Sequence, residues 1–224
     1  MAKKTIQEQI KARMFGFTSQ EPERAILNCV MQQGDDWIAT DGRVMLVVKH
    51  MNTSGDVLHA PSKWGKKRTE YFNDDNNSFM PKEGESRAYA EDNKFRIPDW
   101  KQSIPDITTL HKNGNNKGKS EWKSYDLPNY TMTHLLHGVP VGKVKSKVIF
   151  EGMHRLIKTV HLTFEGEGLG GICLAAPYMR TIDKWLEKED LGFTMHYCDA
   201  LSPILIQPHT HGCWGIVLMP MRCV

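Results

Sequence analysis

The chain has little of three things: cysteine, net charge and uninterrupted apolar sequence. Its 224 residues hold five cysteines, Cys29, Cys173, Cys198, Cys213 and Cys223, widely scattered and without a C-x-x-C pair. An odd, dispersed set does not make a disulfide framework, so a reducing, cytoplasmic setting is expected. No apolar run approaches the roughly 20 residues that span a bilayer, so no membrane partner is expected. The opening "MAKKTIQE" at 1–8 lacks the apolar stretch of a signal peptide. Formal net charge is only +3, and residues 121–224 hold 10 basic against 10 acidic side chains. That balance argues against a tight sequence-reading DNA binder, while it permits weak, sequence-blind contact with phosphates.

Catalytic signatures are also missing. There is no G-x-S-x-G, no P-loop and no G-x-G-x-x-G; "GEGLGG" at 166–171 lies between strands without a phosphate-binding helix after it. "QPHTHGCWG" sets His209, His211 and Cys213 at alternate positions, but a metal would need a fourth ligand or a water. Asp35-Asp36 and Asp74-Asp75 fall in turns, where solvation explains them. No enzyme activity, metal or cofactor is expected.

What is present is an ordinary globular composition, 40% hydrophobic and 25% charged, long enough for one large domain or two of usual size. Ile6, Ile10 and Met14 form the stripe of an amphipathic helix over 5–15. Residues 25–31 and 37–40 read as strands around the turn at 33–36, and 44–48 as a third strand fed by Asp41-Gly42. Residues 73–92 read as a loop or a poorly ordered hairpin. "KNGNNKGKS" at 112–120 is polar, glycine-containing and aperiodic, the composition of a linker. It separates an expected first domain, 1–111, from a second, 121–224. In the second, 127–136 reads as a short helix, 144–150 and 159–164 as strands, and 177–189 as a helix with Pro177 in its first turn. Strands at 193–198, 204–206 and 214–219 close the chain. The order predicts an α+β fold, each domain carrying helices on one face of antiparallel sheets.

The ending is unusual for a chain terminus: "VLMPMRCV" at 217–224 is nearly all apolar. A last strand tucked into the core explains it simply. A wall of a site for another protein's apolar side chains explains it more specifically.

Four stretches in order resemble the bacterial DNA polymerase sliding clamp, the β processivity subunit. "RAILNCVMQQGDDWIATDGRVMLVV" at 24–48 is similar to the clamp's middle domain, where A-T-D-G-x-R-L follows a strand pair. "NKFRIPDWKQSIP" at 93–105 resembles the G-x-F-P-D-[YW]-x-x-x-[IL]-P segment joining the middle and last domains. The ending, Ser202-Pro203-Ile204-Leu205-Ile206 and then Leu218-Met219-Pro220-Met221-Arg222, is similar to S-P-[VL]-x-[IL] followed by V-[VM]-M-P-[MV]-[RK]. "APYMRTIDKWLEK" stands where the clamp's final helix stands. The resemblance implies the DNA-clamp fold and a counterpart of only the middle and last of the bacterial clamp's three domains. Two domains per chain match the phage and eukaryotic-type clamps, which close six-domain rings as trimers, so a homotrimer is the favoured oligomer. The bacterial ring interface, however, uses the domain that has no counterpart here.

In clamps these segments converge on an apolar cleft between two domains that takes short peptides from polymerases, the loader and repair proteins. The resemblance assigns to it Arg24, Leu27, Thr40, Gly42, Arg43, Met45, Pro98, Val217, Leu218, Met219, Pro220 and Met221, with Val44 between them. At Gln102 and Ser103 the family more often has a basic and an apolar residue, so that edge differs. Methionines suit a pocket for varied apolar anchors, and proline fixes the strand's exit without donating a ladder bond. Leu27 would form the floor, and Arg24 and Arg43 would grip the peptide's polar part. Plain core packing is the competing reading of Leu27, Met219 and Met221.

The implied function is processivity: encircling duplex DNA without sequence preference, and holding a polymerase by a peptide. Candidates to face DNA are Lys4, Lys11 and Arg13 on the first helix, Lys63, Lys66, Lys67 and Arg68 in "SKWGKKR", and Arg180 and Lys184 on the last helix. Ordinary solvated charge explains each as well. A second function class is a clamp-derived adaptor or competitor that keeps the cleft but forms no ring, or a transcription co-activator built on it.

Overall fold

The computed structural model describes residues 4–64, 80–88, 99–107, 111–112, 119–149, 158–165, 171–189, 192–209 and 212–221. The chain divides into two compact units, Met1–Gln102 and Ser103–Val224. The division falls ahead of the stretch 112–120. Within that stretch 113–118 lie outside the described residues, and β6 (His111–Lys112) pairs with β7 (Lys119–Ser120).

The first unit opens with α1 (Ile6–Met14), capped as its sequence allows. Thr5 Oγ1 accepts from Glu8 N–H at 3.2 Å while Glu8 Oε2 accepts from Thr5 N–H at 2.8 Å, satisfying two orphan donors reciprocally. Those bonds hold the Glu8 carboxyl below its ordinary range. The expected stripe fades along the helix: Met14 is buried, Ile10 half-buried and Ile6 75% exposed.

The run 25–31, expected as strand, is instead a 3₁₀ turn at Ala25–Asn28 followed by β1 (Val30–Gln33). The cause is Asn28, whose buried amide donates to the carbonyls of Glu21 and Arg24, both at 2.8 Å, and curls the chain. Then come β2 (Asp36–Thr40), β3 (Val44–Val48), β4 (Asp56–His59) and β5 (Ser86–Ala88), paired antiparallel in the order β5-β4-β1-β2-β3. Thus part of the region expected as loop is the edge strand β5. The β1–β2 hairpin turns at Gly34 with φ +60, and β3 is buried along its whole length. His59 bridges three strands: Nδ1 lies 2.7 Å from Ser86 Oγ and Nε2 3.1 Å from Gln32 Oε1, with the Trp37 ring 5.1 Å away. Burial pushes its imidazole down to about 4.

The second unit contains β8 (Lys123–Leu127), α2 (Thr131–Leu136), β9 (Val144–Ile149), β10 (Thr159–Phe164), β11 (Ile172–Ala175), α3 (Ala176–Leu186), β12 (Phe193–Tyr197), β13 (Ile204–Pro208) and β14 (Trp214–Leu218). One antiparallel sheet runs β14-β13-β12-β8, the other β11-β10-β9. Leu127, expected at a helix entry, ends β8, and β11 fills 172–175, to which no element had been assigned. Helix α3 buries Met179, Ile182, Trp185 and Leu186 along one stripe, and Thr133 of α2 donates to Asp183 of α3 at 2.7 Å. Tyr125, Phe164 and Tyr197 stack with centroids 4.8 and 4.5 Å apart, joining β8, β10 and β12. Such ring pairs contribute about 0.5–1.5 kcal/mol beyond burial, and burial raises the Tyr197 hydroxyl to about 12.

Cys173 on β11 is disulfide-bonded, while Cys29 and Cys198, both buried, and the exposed Cys213 are not in disulfides. Scattered spacing gave no sign of the bond, because bridging depends on Cα atoms coming within about 4.4–6.8 Å, a tertiary property. The antiparallel sheets with few helices are the α+β architecture expected. No helix among the described residues is long and apolar enough to cross a membrane.

Candidate partner-binding site

In the first unit the turn joining β2 to β3 closes on its own side chains. Asp41 Oδ1 accepts from the N–H groups of Arg43 and Val44 at 2.8 and 3.0 Å, and Thr40 Oγ1 accepts from Gly42 N–H at 2.9 Å. Thr40 Oγ1 in turn donates to Val44 O at 2.8 Å, and Thr40 stands opposite Met45 in the ladder. Gly42 has φ +89, a region that L side chains rarely adopt. Its missing Cβ also leaves room for Arg24, since a Cβ there would sit 3.0 Å from Arg24 Nη1.

Arg24 is brought to this turn from 17 positions earlier: Nη1 donates to Asp41 O at 2.7 Å. Its Nε meets Glu21 Oε2 at 2.7 Å, and the side chain remains 42% exposed. Arg24, Thr40, Gly42, Val44 and Met45 are therefore gathered into one feature. Val44 and Met45 are buried, Leu27 is half-buried in the 3₁₀ turn Ala25–Asn28, and Arg43 is exposed. Leu27's carbonyl accepts from Ser19 N–H at 2.7 Å, which fixes the backbone of the 3₁₀ turn. Pro98 lies outside the described residues.

In the second unit Val217 and Leu218 belong to β14, paired with Leu205 and Ile204, and are 5% and 0% exposed. Met219, the next residue, is 42% exposed. Pro220 and Met221 are half-buried, and Met221 N–H donates to Cys173 O at 2.8 Å. The tail thus passes from core strand to exposed methionine in one residue and is then stitched to β11. Of the three residues with a competing core reading, Leu27 and Met221 are half-buried and Met219 is exposed.

The expected DNA-facing residues differ in exposure. Lys4, Lys63, Arg180 and Lys184 are exposed, Arg180 and Lys184 lying one turn apart on α3. Lys11 is half-buried with Nζ 6.0 Å from the Trp37 ring centroid, and Arg13 is half-buried. Lys66, Lys67 and Arg68 lie outside the described residues. Of the histidine–cysteine triplet, His209 faces Asp126 at 3.6 Å and Cys213 is exposed; His211 lies outside the described residues. Among the described residues no cluster of three histidine, cysteine or acidic side chains could hold a metal. Sequence reading did not single out Glu21, Asn28 or Asp41. The spacing of Glu21 and Arg24, three apart, and the T-D-G turn were the available signals.

No protein-family model and no curated protein matches the sequence. Solved structures do match. The DNA polymerase III beta subunit of Thermotoga maritima is 16% identical, with TM-score 0.55, covering 100% of this chain and 67% of that one. The sliding clamp of Bartonella birtlesii, solved bound to griselimycin, is 17% identical with TM-score 0.54, covering 97% and 64%. The Bacillus subtilis clamp is 13% identical with TM-score 0.51, covering 97% and 62%. The chain therefore spans somewhat under two thirds of the length of most clamps it matches. At such low identity the likeness speaks for architecture, and it does so across nearly every residue: this chain has the fold of the bacterial DNA polymerase sliding clamp.

Proposed function

We propose that the chain is a short sliding clamp that encircles duplex DNA and holds polymerase and loader proteins by apolar-anchored peptides. The observation that carries the reading is the gathering of Arg24 onto the closed Thr40-Asp41-Gly42 turn; the resemblance had assigned Arg24, Thr40 and Gly42 to the cleft. A turn whose N–H groups are satisfied by its own side chains is already ordered, so a peptide binding there loses little free energy to loop ordering. The exposed Met219 after buried Leu218 supports an apolar contact, and methionine accepts anchors of different shape. Pro98, Val217, Pro220 and Met221 complete the proposed set.

The mechanism has no bond chemistry and needs no cofactor. A tethered polymerase rebinds intramolecularly, at millimolar effective concentration for a short tether. Contact with DNA has to be weak and sequence-blind for sliding; the exposed pair Arg180 and Lys184, with Lys4 and Lys63, has the right chemistry. A homotrimer of two clamp-like units per chain gives the six-domain ring, working in the cytoplasm.

Two measurements test the proposal. Mass in solution separates a stable trimer from a monomer; a monomer that still binds peptide favours the ring-less adaptor or competitor. Capture by an immobilised clamp-binding peptide, compared between the native chain and Met219→Ala with Met221→Ala, tests the site. Equal retention of both proteins removes the peptide-binding reading.

A further inference from the structure

We propose that the disulfide of Cys173 is a redox latch: oxidised, it fastens the C-terminal tail to β11, and reduced, it lets the tail go. The effect on peptide binding rests on the reading of Met219 as part of that site; the latch itself does not. Cys173 is disulfide-bonded, whereas Cys29, Cys198 and Cys213 are not in disulfides. The sequence has five cysteines, so count alone leaves Cys223, which lies outside the described residues, as the proposed partner.

The described part of the tail has little else to hold it. β11 pairs with β10 along one edge. Along the other, the described tail makes one bridge, in which Met221 N–H donates to Cys173 O at 2.8 Å. Pro220 has no N–H to add a second bond, and Met219 is 42% exposed. A chain end held by a single hydrogen bond frays. A covalent bond from the same residue, Cys173, keeps it in place. In the chain-entropy model, closing a loop of about 50 residues raises the folding constant roughly a thousandfold.

The sheet face around Cys173 suits a bond that can be exchanged. His161 of β10 stands opposite Cys173 in the ladder, and Lys147 of β9 stands opposite His161. Residues opposite one another share a face. Gly171 leaves the room that the His161 ring occupies, and Lys147 is exposed. An imidazole that can donate a hydrogen bond, with a lysine beyond it, stabilises a thiolate. A thiol that ionises readily is also the better leaving group. Cys173 itself is 3% exposed, so reduction runs by attack on its partner sulfur. A glutathione-type thiolate forms a mixed disulfide there as the S–S bond breaks and Cys173 leaves as thiolate. A second such thiolate displaces the tail sulfur and gives glutathione disulfide, so two electrons pass from two small thiols to the protein. Disulfides in a reducing cytoplasm are characteristically transient and redox-sensing, which fits a latch better than a permanent staple.

The test uses the full chain, oxidised or treated with dithiothreitol. Digestion of the oxidised protein without reductant, read by mass spectrometry, should give a linked pair holding Cys173 and Cys223. Hydrogen exchange at the Met221 amide should quicken by about tenfold or more on reduction, as a local opening does. Cys223→Ser should exchange fast in both states, and Cys213→Ser should match the native chain. A fluorescent peptide with leucine anchors should bind the oxidised chain about two- to tenfold more tightly, the cost of ordering one side chain. Cys173 recovered as a free thiol, or Met221 exchange unmoved by reduction, overturns the latch. If exchange responds and peptide affinity does not, the latch stands and its control of binding is overturned. If neither state binds the peptide, the peptide reading fails, and the exchange result still decides the latch.

Discussion

Replacing Gly42 by alanine should affect this protein in two separable ways, and Gly34 provides the internal comparison. Both glycines have positive φ, +89 and +60. Placing an L side chain in that region costs about 1–2 kcal/mol, so each substitution to alanine pays that backbone strain. At Gly34 nothing lies within 4 Å of the new Cβ, so strain is the whole effect. At Gly42 the Cβ arrives 3.0 Å from Arg24 Nη1, and the guanidinium has to give by a few tenths of an ångström. It is held by a hydrogen bond to Asp41 O and an ion pair with Glu21, both at 2.7 Å, so giving way stretches the hydrogen bond to Asp41 O. Losing a partly exposed hydrogen bond to a charged group adds about 1 kcal/mol. Gly42→Ala should therefore cost roughly 1 kcal/mol more than Gly34→Ala. Amide hydrogen exchange on β2 and β3 reads the opening free energy of this unit alone. In the double variant with Arg24→Ala the extra term should vanish, a coupling of about 0.5–1 kcal/mol. Additivity of Arg24→Ala and Gly42→Ala would falsify the idea that the glycine makes room for the arginine.

Adjacent tail residues should behave oppositely. Leu218→Ala opens a cavity in β14 and should cost about 2–5 kcal/mol of stability, whereas Met219→Ala should cost about 1 kcal/mol or less. If the peptide reading holds, Met219→Ala should weaken an apolar-anchored peptide by about 2 kcal/mol, roughly 30-fold; urea denaturation and fluorescence polarisation separate the two. Gly192→Ala would drive a Cβ to 2.5 Å from Leu127 O and 2.8 Å from the His209 ring. A backbone carbonyl cannot step aside, so a loss of about 1–3 kcal/mol is expected, seen as a lower urea midpoint. Stability should fall in acid because buried His59 stays neutral down to about 4 while the unfolded imidazole takes a proton near 6.5. The stabilisation is whole above about pH 6.5 and is lost progressively towards pH 4, at most about 3 kcal/mol. His196, also lowered by burial, acts in the same direction. Exchange on β4 at pH 7 and pH 5 measures the His59 share, and a His59→Gln variant whose pH dependence matches the native protein would count against it.

Elements with strong local signals were legible in the sequence. The helix α1 was marked by Thr5 and its apolar spacing, β2 and β3 by β-branched runs around T-D-G, and α3 by Pro177 and the stripe Met179, Ile182, Leu186. The strands β4, β8 and β11 were not, for physical reasons. "DVLH" and "KSYDL" are short and mixed in polarity, so alternation is weak, and "ICLA" runs straight into the helix. The 3₁₀ turn at Ala25–Asn28 reads as strand because Ala25, Ile26 and Leu27 are apolar; what bends it is a side-chain amide reaching back seven residues. The clustering of Arg24 with the T-D-G turn was legible only through resemblance, since a bond spanning 17 positions has no local signature. Glu21 was visible at helical spacing but had no reason to be noticed until the guanidinium was seen resting on it.

The imidazole shared by Gln32 and Ser86 has a consequence for how the first sheet finds its pairing. Side chains alternate across a strand, so sliding β4 by one residue turns His59 to the opposite face and brings Leu58 against the amide. A mispaired compact state would then bury a glutamine and a histidine with nothing to bond, at about 1–3 kcal/mol for each group left wanting. One polar lock beside the edge strand, joining β5, β4 and β1, rejects the wrong alignments.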